Sequence, residues 1–414
     1  MRDVLRRLEP FITHHSPLIT AAAVFYFLHI IFCVKIPGLE LSAFICLGLL
    51  TWAIAKKQAR FSFHILYFPL AVYGLASMLS SWVSVRSSYQ AYMILWFKIL
   101  IFPVAIMIYR EVPRLRELNT YAFAIVASGA STWGLLEYLF LEQRDLEHRI
   151  SGPSSHVMTF SGLMLPLAVM FLFLWWRQRK WWQLVSCLLP TVTLLLTFTR
   201  SVWLGWAFAV AAIVLATRPR VAFYALPFVI LFITFMPLSL FSRLMSTFDM
   251  TQSSNFDRIR MVQAGVEMIR DYPVFGVGLT NVKESYALYR KHDAPRPRPP
   301  HLHNNVVQLW AERGILGLAS YLLLLALFLR ECIAGWNGPR HVWAEVGVAV
   351  AVSLTVAGLF EFNFGDTEVF YMLLNLFALV VVQLERPLPR ANEACLPLVA
   401  AVSRSAVAGV VGGR

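Results

Sequence analysis

The chain has 414 residues, of which 58% are hydrophobic and only 14% are charged, and its formal net charge is +13. A soluble domain carries about 25% charged residues, so this composition excludes an ordinary soluble domain and indicates an integral membrane protein. The positive charge does not indicate a nucleic-acid partner, because the lysines and arginines concentrate in short segments between apolar runs, as in the loops of membrane proteins.

Twelve apolar runs along the chain approach the roughly 20 residues that a helix needs to cross a bilayer. They lie near residues 17–34, 38–55, 62–82, 92–109, 119–140, 156–176, 182–198, 201–217, 221–242, 314–332, 342–362 and 367–384. We predict an all-α integral membrane protein with about 12 transmembrane helices, since only a helix satisfies its own backbone hydrogen bonds in lipid. Basic residues concentrate in alternate connecting segments, which predicts an inner-membrane protein with both termini in the cytoplasm.

One long segment breaks this charge pattern. Residues 243–313 are predicted to lie on the periplasmic side, yet they are rich in lysine and arginine. Long loops are translocated regardless of their charge, so the topology permits this segment but does not explain it. A basic surface there indicates an anionic partner. We therefore divide the chain into helices 1–9 (1–242), a large periplasmic loop (243–313), helices 10–12 (314–384) and a cytoplasmic tail (385–414) that we expect to be disordered.

The long loop is predicted to be partly helical. Its apolar residues recur every three or four positions and form one face of a helix: Phe256, Ile259, Val262, Val266 and Ile269. Asn255 is a plausible N-cap for this helix. Residues 284–300 are rich in proline and predict an irregular stretch. A new helix is expected to begin near His303 and to run toward the tenth span.

His303 is the leading candidate for a catalytic residue. In the first turn of a helix, the helix dipole disfavours the imidazolium, and a neutral histidine is what a general base requires. The alternative is a capping or interfacial histidine. His301 forms an HxH pair with it, which suggests a metal site, but the outer loops show no clustered carboxylate to complete one. We therefore expect no metal and no cofactor.

The acidic residues give weaker indications. Glu312 lies nine residues after His303 and would face the opposite side of the same helix, so it is a poor candidate to orient that histidine. Glu361 and Asp366, near the last outer turn, have no lysine or arginine close by in the sequence. An arginine of the long loop is one candidate partner for them.

Four arginines form a possible cationic set. Arg200 stands almost alone among apolar residues, and an isolated charge beside a span is a functional hypothesis by default, although a snorkelling arginine is the alternative. Arg258 and Arg260 lie on the loop helix, and Arg149 lies in another outer segment. Guanidinium groups bind phosphate oxygens in pairs, so the set suits a diphosphate, although solvated loop charges are the alternative for each.

Three stretches of the chain resemble the O-antigen ligase and polymerase superfamily. His303 and Asn304, followed by nine residues and then by Gly314 and Gly317 in the order GxxG, are similar to the ligase signature. Ala319 stands where the family has Leu, Thr or Tyr. Arg200 begins an R-x3-L match, and residues 271–281 resemble the family's turn before the active-site histidine.

The resemblance implies a metal-independent, inverting glycosyltransferase of the GT-C type. Such enzymes transfer O-antigen from undecaprenyl diphosphate to lipid A–core at the periplasmic face of the inner membrane. His303 matches the family's essential histidine and Arg200 its essential arginine. Arg258 or Arg260 corresponds to a loop arginine, and Arg149 matches only a loose pattern. The expected partners are the donor, the acceptor and membrane lipids, with His301, Asn304, Gly314 and Gly317 as supporting residues.

Three rival functions remain open. An O-antigen polymerase uses the same donor with a lipid-linked glycan as acceptor, and a protein O-oligosaccharyltransferase is a further relative. A lipid or glycan transporter belongs to a different class, and it predicts charged residues in the middle of spans and internal repeats. Lys98 is the main such charge, and no repeat is evident.

Overall fold

The computed structural model describes residues 16–34, 36–84, 89–140, 149–220, 238–246, 249 and 251–385. All regular secondary structure in these residues is helical. The helices are α1 Pro17–Ile31, α2 Ile36–Ala55, α3 Tyr67–Val83, α4 Tyr89–Glu111, α5 Leu115–Phe140, α6 Val157–Gln178, α7 Trp181–Leu196, α8 Arg200–Thr217, α9 Leu238–Met245, α10 Ser253–Asp271, α11 Val282–Tyr289, α12 Asn305–Ala334, α13 His341–Gly358 and α14 Thr367–Leu384.

The prediction of an all-α membrane protein is confirmed. Within the described ranges, eight helices are long and apolar enough to cross a membrane, and α1 and α7 are shorter apolar helices. The predicted span at 221–242 lies almost entirely outside the described residues, as does the tail after residue 385. The most enclosed spans are α6 and α14, since 83% of the residues in the central stretch of each are buried.

The predicted span at 342–362 is too long. Helix α13 ends at Gly358, and residues 359–366 form an outer turn before α14. The side chain of Asn363 donates a hydrogen bond to the Leu354 carbonyl at 3.0 Å, and Asn305 donates one to Asn363 at 2.6 Å. These side-chain bonds satisfy polar groups at the end of the helix and tie the turn to the start of α12.

Helix α12 is broken at Gly314, where φ is 67° and ψ is −170°. The turn at residues 272–278 fits into the break. Three backbone hydrogen bonds join them: Val277 N to Ala311 O at 2.8 Å, Gly278 N to Glu312 O at 3.1 Å, and Ile315 N to Pro273 O at 3.0 Å. A Cβ at Gly314 would lie 1.8 Å from the Val274 carbonyl oxygen, so only glycine fits. Two sequence motifs that are separate in the chain therefore form one structural unit.

Helix α10 confirms that the long loop is partly helical, and the predicted apolar face of this helix is not its buried face. Its buried residues are Asp257, Met261, Ala264, Gly265 and Met268. The small residues at 264 and 265 allow close packing on the segment that leads into α12, whereas Ile259 and Val266 remain 38% and 37% exposed. The N-cap position is Gln252 rather than Asn255, whose side chain is used in the site described below.

The proline-rich segment was predicted as irregular over 284–300. Its first part is the helix α11, and the irregular backbone begins at residue 290. Three ion pairs fasten the irregular part to α10 and α11: Asp293 with Arg260, Arg296 with Asp257, and Arg298 with Glu284. The segment that leads to His303 is therefore held at several points along its length.

Candidate functional site

His303 lies just before α12 and not in its first turn, as the sequence had suggested. Asn304 is the N-cap of α12, and its side-chain oxygen accepts a hydrogen bond from Val307 N at 3.0 Å. The same side chain donates to the Leu359 carbonyl at 2.8 Å and so joins this segment to the outer turn. His303 has a left-handed backbone with φ of 52°, an uncommon conformation for a residue other than glycine. Such positions often occur at functional sites.

Glu361 in the outer turn is the direct partner of His303. The distance from His303 Nδ1 to Glu361 Oε2 is 2.9 Å, which is a hydrogen bond. His301 Nε2 lies 3.5 Å from the other carboxylate oxygen, and Arg258 Nη2 lies 4.0 Å from Oε2. The sequence had identified Glu361 only as an acid without a nearby partner. The structure gives it a histidine as well as the loop arginine that we had considered.

The surroundings keep Glu361 ionised. Burial by itself would raise the pKa of this carboxyl group, but the hydrogen bond from His303 and the charges of His301 and Arg258 outweigh burial and hold the pKa at about 2. A carboxylate can only accept hydrogen bonds. The proton in this contact therefore belongs to His303 Nδ1, and Nε2 of the same ring is left to accept a proton from a substrate.

His301 stacks beside His303 and is electrostatically different. The two ring centroids are 4.2 Å apart. Burial lowers the pKa of His301 to about 4, and the positive neighbours around it act in the same direction, although Glu361 opposes them. His301 is therefore neutral at ordinary pH, and its charge acts on Glu361 only at the low pH at which that carboxyl group titrates.

His303 lines a cleft of about 310 Å³ between α8, α10 and the outer turn. Its polar lining comes from His303 together with Arg200, Ser201, Asn255, Arg258 and Gln263. Its apolar lining is Leu204, Ile259, Val262, Leu359 and Phe360. Ile259 and Val262 belong to the apolar face that the sequence predicted, so this face lines the cleft instead of packing into the core. We call this space the catalytic cleft.

Four arginines lie close to one another beside the catalytic cleft, and two of them, Arg200 and Arg258, line it. The turn before α8 binds two of them through its carbonyl groups, Arg149 Nε to Thr197 O at 2.6 Å and Arg243 Nε to Phe198 O at 3.2 Å. Burial lowers the pKa of Arg149 to about 10, and repulsion by Arg243, Arg258 and Arg200 contributes in the same direction. Burial also lowers the pKa of Arg258. Among the described residues, no carboxylate forms an ion pair with Arg149, Arg200 or Arg243.

Arg200 is buried and tied to the loop by several hydrogen bonds. Its acceptors are Ser246 O at 2.6 Å, Ser246 Oγ at 3.1 Å, Gln252 Oε1 at 2.8 Å, Ser254 Oγ at 2.9 Å and Asn255 Oδ1 at 2.6 Å. A snorkelling arginine would extend to water or to lipid headgroups instead. Arg200 therefore connects the start of α8 to the start of α10, while its charge stays at the edge of the cleft.

Arg260 does not join this group. Its guanidinium is paired with Asp293 and lies over the Phe256 ring, 4.7 Å from the centroid. Its charge is already balanced, and the side chain does not line the catalytic cleft. Arg243 takes the fourth place, although the sequence had distinguished it only as one of many basic loop residues. No local pattern separates these two arginines, because their difference depends on which neighbours the fold provides.

Comparison with known proteins agrees with this geometry. Residues 185–322 match the family model described as O-antigen ligase. This segment, a third of the chain, is therefore similar to that family. It is also 24% identical over 139 residues to a Rickettsia conorii protein named as a polysaccharide ligase, an alignment that covers 32% of this chain and 33% of that relative. The chain thus spans about a third of the length of the curated relative that it matches.

The segment that matches the family model contains only part of the site. Arg200, Arg258, His303 and both glycines of the GxxG motif lie within it, whereas Glu361 lies beyond its end. The carboxylate that completes the histidine cluster is thus contributed from outside the matched segment, as is Arg149.

The histidine cluster also corrects our argument about a metal. We set a metal aside because no carboxylate was expected near His301 and His303. Glu361 provides one, and the three ligand atoms lie within 4.8 Å of one another. Two histidines and one carboxylate are a known set of zinc ligands, so the cluster could hold a divalent ion. The 2.9 Å contact between His303 and Glu361 is a direct hydrogen bond when no ion is bound. Activity with and without a chelator distinguishes the hydrogen-bonded cluster from a metal site.

The other acids that we considered have structural roles. Glu312 pairs with Arg313 and accepts a hydrogen bond from Thr280 N at 3.1 Å, so it does not orient His303, as expected. Asp366 caps α14 and accepts a hydrogen bond from the Thr159 hydroxyl at 2.5 Å.

Proposed function

We propose that this protein transfers a glycan from undecaprenyl diphosphate to a hydroxyl group of lipid A–core at the periplasmic face of the bacterial inner membrane. The observation that carries the proposal is the His303–Glu361 pair, which lies beside a cleft lined by Arg200 and Arg258. A base beside concentrated positive charge suits the transfer of a group away from a diphosphate. The similarity of residues 185–322 to the O-antigen ligase family model supports the same reaction class.

The proposed reaction is a single displacement with inversion. Nε2 of His303 accepts the proton of the acceptor hydroxyl, and the oxygen attacks the anomeric carbon of the lipid-linked glycan. The bond between that carbon and the diphosphate oxygen breaks, and the electron pair leaves with the undecaprenyl diphosphate. Glu361 holds the ring in the required tautomer and stabilises the imidazolium that forms, as the acid of a catalytic triad does. The atoms balance without a metal or a second acid.

The arginines have two different tasks in this proposal. Arg258 lines the cleft, and its nearest carboxylate oxygen is 4.0 Å away, so it is available to bind the diphosphate. Arg149 and Arg243 add positive potential that favours the leaving group as it gains charge. Arg200 contributes charge and positions the loop, since both terminal nitrogens of its guanidinium already donate hydrogen bonds. We leave Arg260 out of the proposed diphosphate site, because it is paired with Asp293.

The apolar part of the cleft suits a lipid-linked donor. Leu204, Ile259 and Val262 line it next to Arg258, so apolar and phosphate-binding groups lie side by side. An undecaprenyl diphosphate has the same division between chain and headgroup. We propose that the prenyl chain leaves the cleft along this apolar side toward the outer leaflet.

A purified-protein transfer assay tests the proposal. The wild type is incubated with undecaprenyl diphosphate-linked glycan and with lipid A–core, and His303→Ala is expected to abolish transfer. His341→Ala, at the start of α13, is the matched control and should retain activity. Transfer by a correctly folded His303→Ala variant would contradict the proposed base. If a chelator abolishes wild-type activity and Zn²⁺ restores it, the reaction is metal-assisted at the same cluster, and direct proton transfer to His303 is ruled out.

The acceptor distinguishes the rival functions of the same family. Transfer to a second lipid-linked glycan instead of lipid A–core would indicate a polymerase, and transfer to a protein would indicate a protein O-oligosaccharyltransferase. Movement of the intact donor across vesicles without bond cleavage would indicate a transporter. The presence of a paired histidine base in the cleft favours an enzyme over the transporter.

A further inference from the structure

The outer turn at residues 359–366 separates two clefts. Leu359 and Phe360 line the catalytic cleft, whereas Phe362, Phe364 and Gly365 line a second cleft of about 270 Å³ on the other side. Glu361 lies between these two groups in the sequence. We call the additional space the second cleft. The transfer reaction as described so far makes no use of it.

The second cleft contains charged groups that are costly to place in a membrane protein. Lys98 projects from the membrane span α4, and its Nζ donates to the Thr367 hydroxyl at 2.7 Å. Glu312 and Arg313 form a buried ion pair and are only 4% and 5% exposed. Ionisable groups at this depth usually mark a binding site or pathway. Here they line an open space that is large enough for a small polar group.

The charges in the second cleft are largely balanced, unlike those of the catalytic cleft. Arg313 is paired with Glu312, and Lys98 is bound to a hydroxyl group near the acidic residues Asp366 and Glu368. This balance disfavours a phosphate as the main ligand. Hydrogen-bond donors and acceptors lie together between the aromatic rings of Tyr73, Phe362 and Phe364. A sugar ring, with hydroxyl groups at its rim and C–H groups on its faces, fits this combination.

The second cleft also reaches the lipid-facing side of α4. Ala91, Ile94 and Leu95 line it, and Ile94 is 48% exposed. These residues lie at the start of the span that begins at Met93. A substrate anchored in the bilayer could therefore place its sugar in this cleft while its lipid remains in the outer leaflet.

The geometry of inversion requires two opposite approaches to the reacting carbon. The attacking hydroxyl must arrive on the face opposite to the departing diphosphate. In the proposed function, the diphosphate lies in the catalytic cleft, which residues of α8 and α10 line. The second cleft lies on the other side, and the Phe362 ring that lines it is 5.9 Å from the His301 ring.

We infer that the second cleft binds the sugar of the acceptor glycolipid, with Lys98, Thr367 and the Glu312–Arg313 pair as hydrogen-bonding groups. The inference rests on the proposed function. The acceptor sugar lies against Phe362 and extends its reacting hydroxyl past the outer turn to Nε2 of His303. Donor and acceptor thus enter from different sides of the membrane domain and meet at Glu361.

The inference is tested by measuring the KM for the donor and the KM for the acceptor separately in two variants. Lys98→Gln removes a charged donor from the second cleft, and Arg258→Gln removes one from the catalytic cleft. Loss of a charge-assisted hydrogen bond corresponds to about tenfold or more in affinity. We expect Lys98→Gln to raise the KM for lipid A–core about tenfold and to leave the KM for the lipid-linked donor within twofold. Arg258→Gln should show the reverse pattern.

A further variant of the second cleft tests the inference without changing any of the charged groups in that cleft. Ala91→Trp places a bulky side chain at the lipid-facing side of the second cleft without removing any ionisable group, and it too should raise only the acceptor KM. Thermal unfolding of each variant in detergent checks that it is folded. An unchanged acceptor KM in both folded variants, or in Ala91→Trp alone if Lys98→Gln does not fold, overturns the inference. Absence of transfer by the wild type would instead contradict the proposed function itself.

Discussion

Replacement of Glu361 by glutamine is the sharpest test of the paired base. The substitution preserves the size of the side chain and removes its charge. In the native protein the pKa of Glu361 is held at about 2 instead of the ordinary 4.5, which corresponds to about 3 kcal/mol in favour of the carboxylate over the neutral acid. An amide resembles the neutral acid, so the variant loses stabilisation of this order between residue 361 and its histidine and arginine neighbours.

The catalytic effect should exceed the effect on folding. An amide nitrogen can donate to His303 Nδ1 and thereby place the ring proton on Nε2, where it blocks the transfer of a proton from the acceptor. General-base catalysis contributes about 10²- to 10⁴-fold, and we expect kcat to fall within this range while the donor KM changes little. The expected loss corresponds to about 3–5 kcal/mol of transition-state stabilisation.

The assay compares initial transfer rates of Glu361→Gln and wild type at saturating donor and acceptor. Asp366→Asn is the matched control, because Asp366 lies in the same outer turn, accepts hydrogen bonds from Thr159 and from the backbone of α14, and lines neither cleft. This control is expected to change thermal stability more than kcat. A folded Glu361→Gln protein with kcat within threefold of the wild type would refute the role of Glu361 in orienting the base.

Three further predictions follow from the geometry. Gly314→Ala should lower the midpoint of thermal unfolding, because the positive φ alone costs about 1–2 kcal/mol and the added Cβ meets backbone, whereas Gly48→Ala, which meets no atom within 4 Å, should not. Equal midpoints would contradict the fit at the helix break. Arg243→Gln should raise the donor KM about tenfold, measured by steady-state transfer, and the 68%-exposed Arg270→Gln should not. Because burial holds the pKa of His301 at about 4, below the ordinary 6.5, the unfolded chain binds more protons between these values. Stability should therefore fall as pH decreases from 6.5 to 4, and His301→Gln should fall less; parallel profiles would contradict this assignment.

The sequence predicted those features that depend on local composition. Apolar runs of sufficient length identified the spans, because a helix in lipid must be apolar over most of its length. The end of α13 was missed because residues 359–362 are themselves largely apolar, and the helix stops where Asn363 bonds back to Leu354. A hydropathy pattern contains no information about this tertiary hydrogen bond.

The sequence predicted only those residues of the candidate site that are distinctive in their motif or in their neighbours along the chain. His303 and Arg200 stood out, the first through its motif and the second through its isolation among apolar residues. Glu361 did not, because its contact with His303 joins positions that are 58 residues apart. The choice between Arg243 and Arg260 was equally inaccessible, since it depends on Asp293, which neutralises one of them.

The buried face of α10 illustrates how function can reverse a sequence rule. Apolar residues at helical spacing usually mark the face that packs into the core. Here the core side of α10 uses Ala264 and Gly265 for close packing, and Ile259 and Val262 line the catalytic cleft. In the proposed function, the catalytic cleft holds a lipid chain and therefore needs apolar walls. Apolar residues of α10 that line such a cleft have the same helical spacing as residues that pack into a core.

The positions of the arginines and of Glu361 together explain why the site depends on the long loop and the spans at once. Arg200 lies at the start of a span, yet its hydrogen bonds end on residues 246–255 of the loop. His303 lies at the end of the loop, yet its partner lies between two spans. Residues of the loop therefore hold Arg200 in place, and Glu361 from the turn between two spans holds His303 in place. A displacement of the loop would separate the base from its carboxylate and the positive charges from the cleft in the same movement.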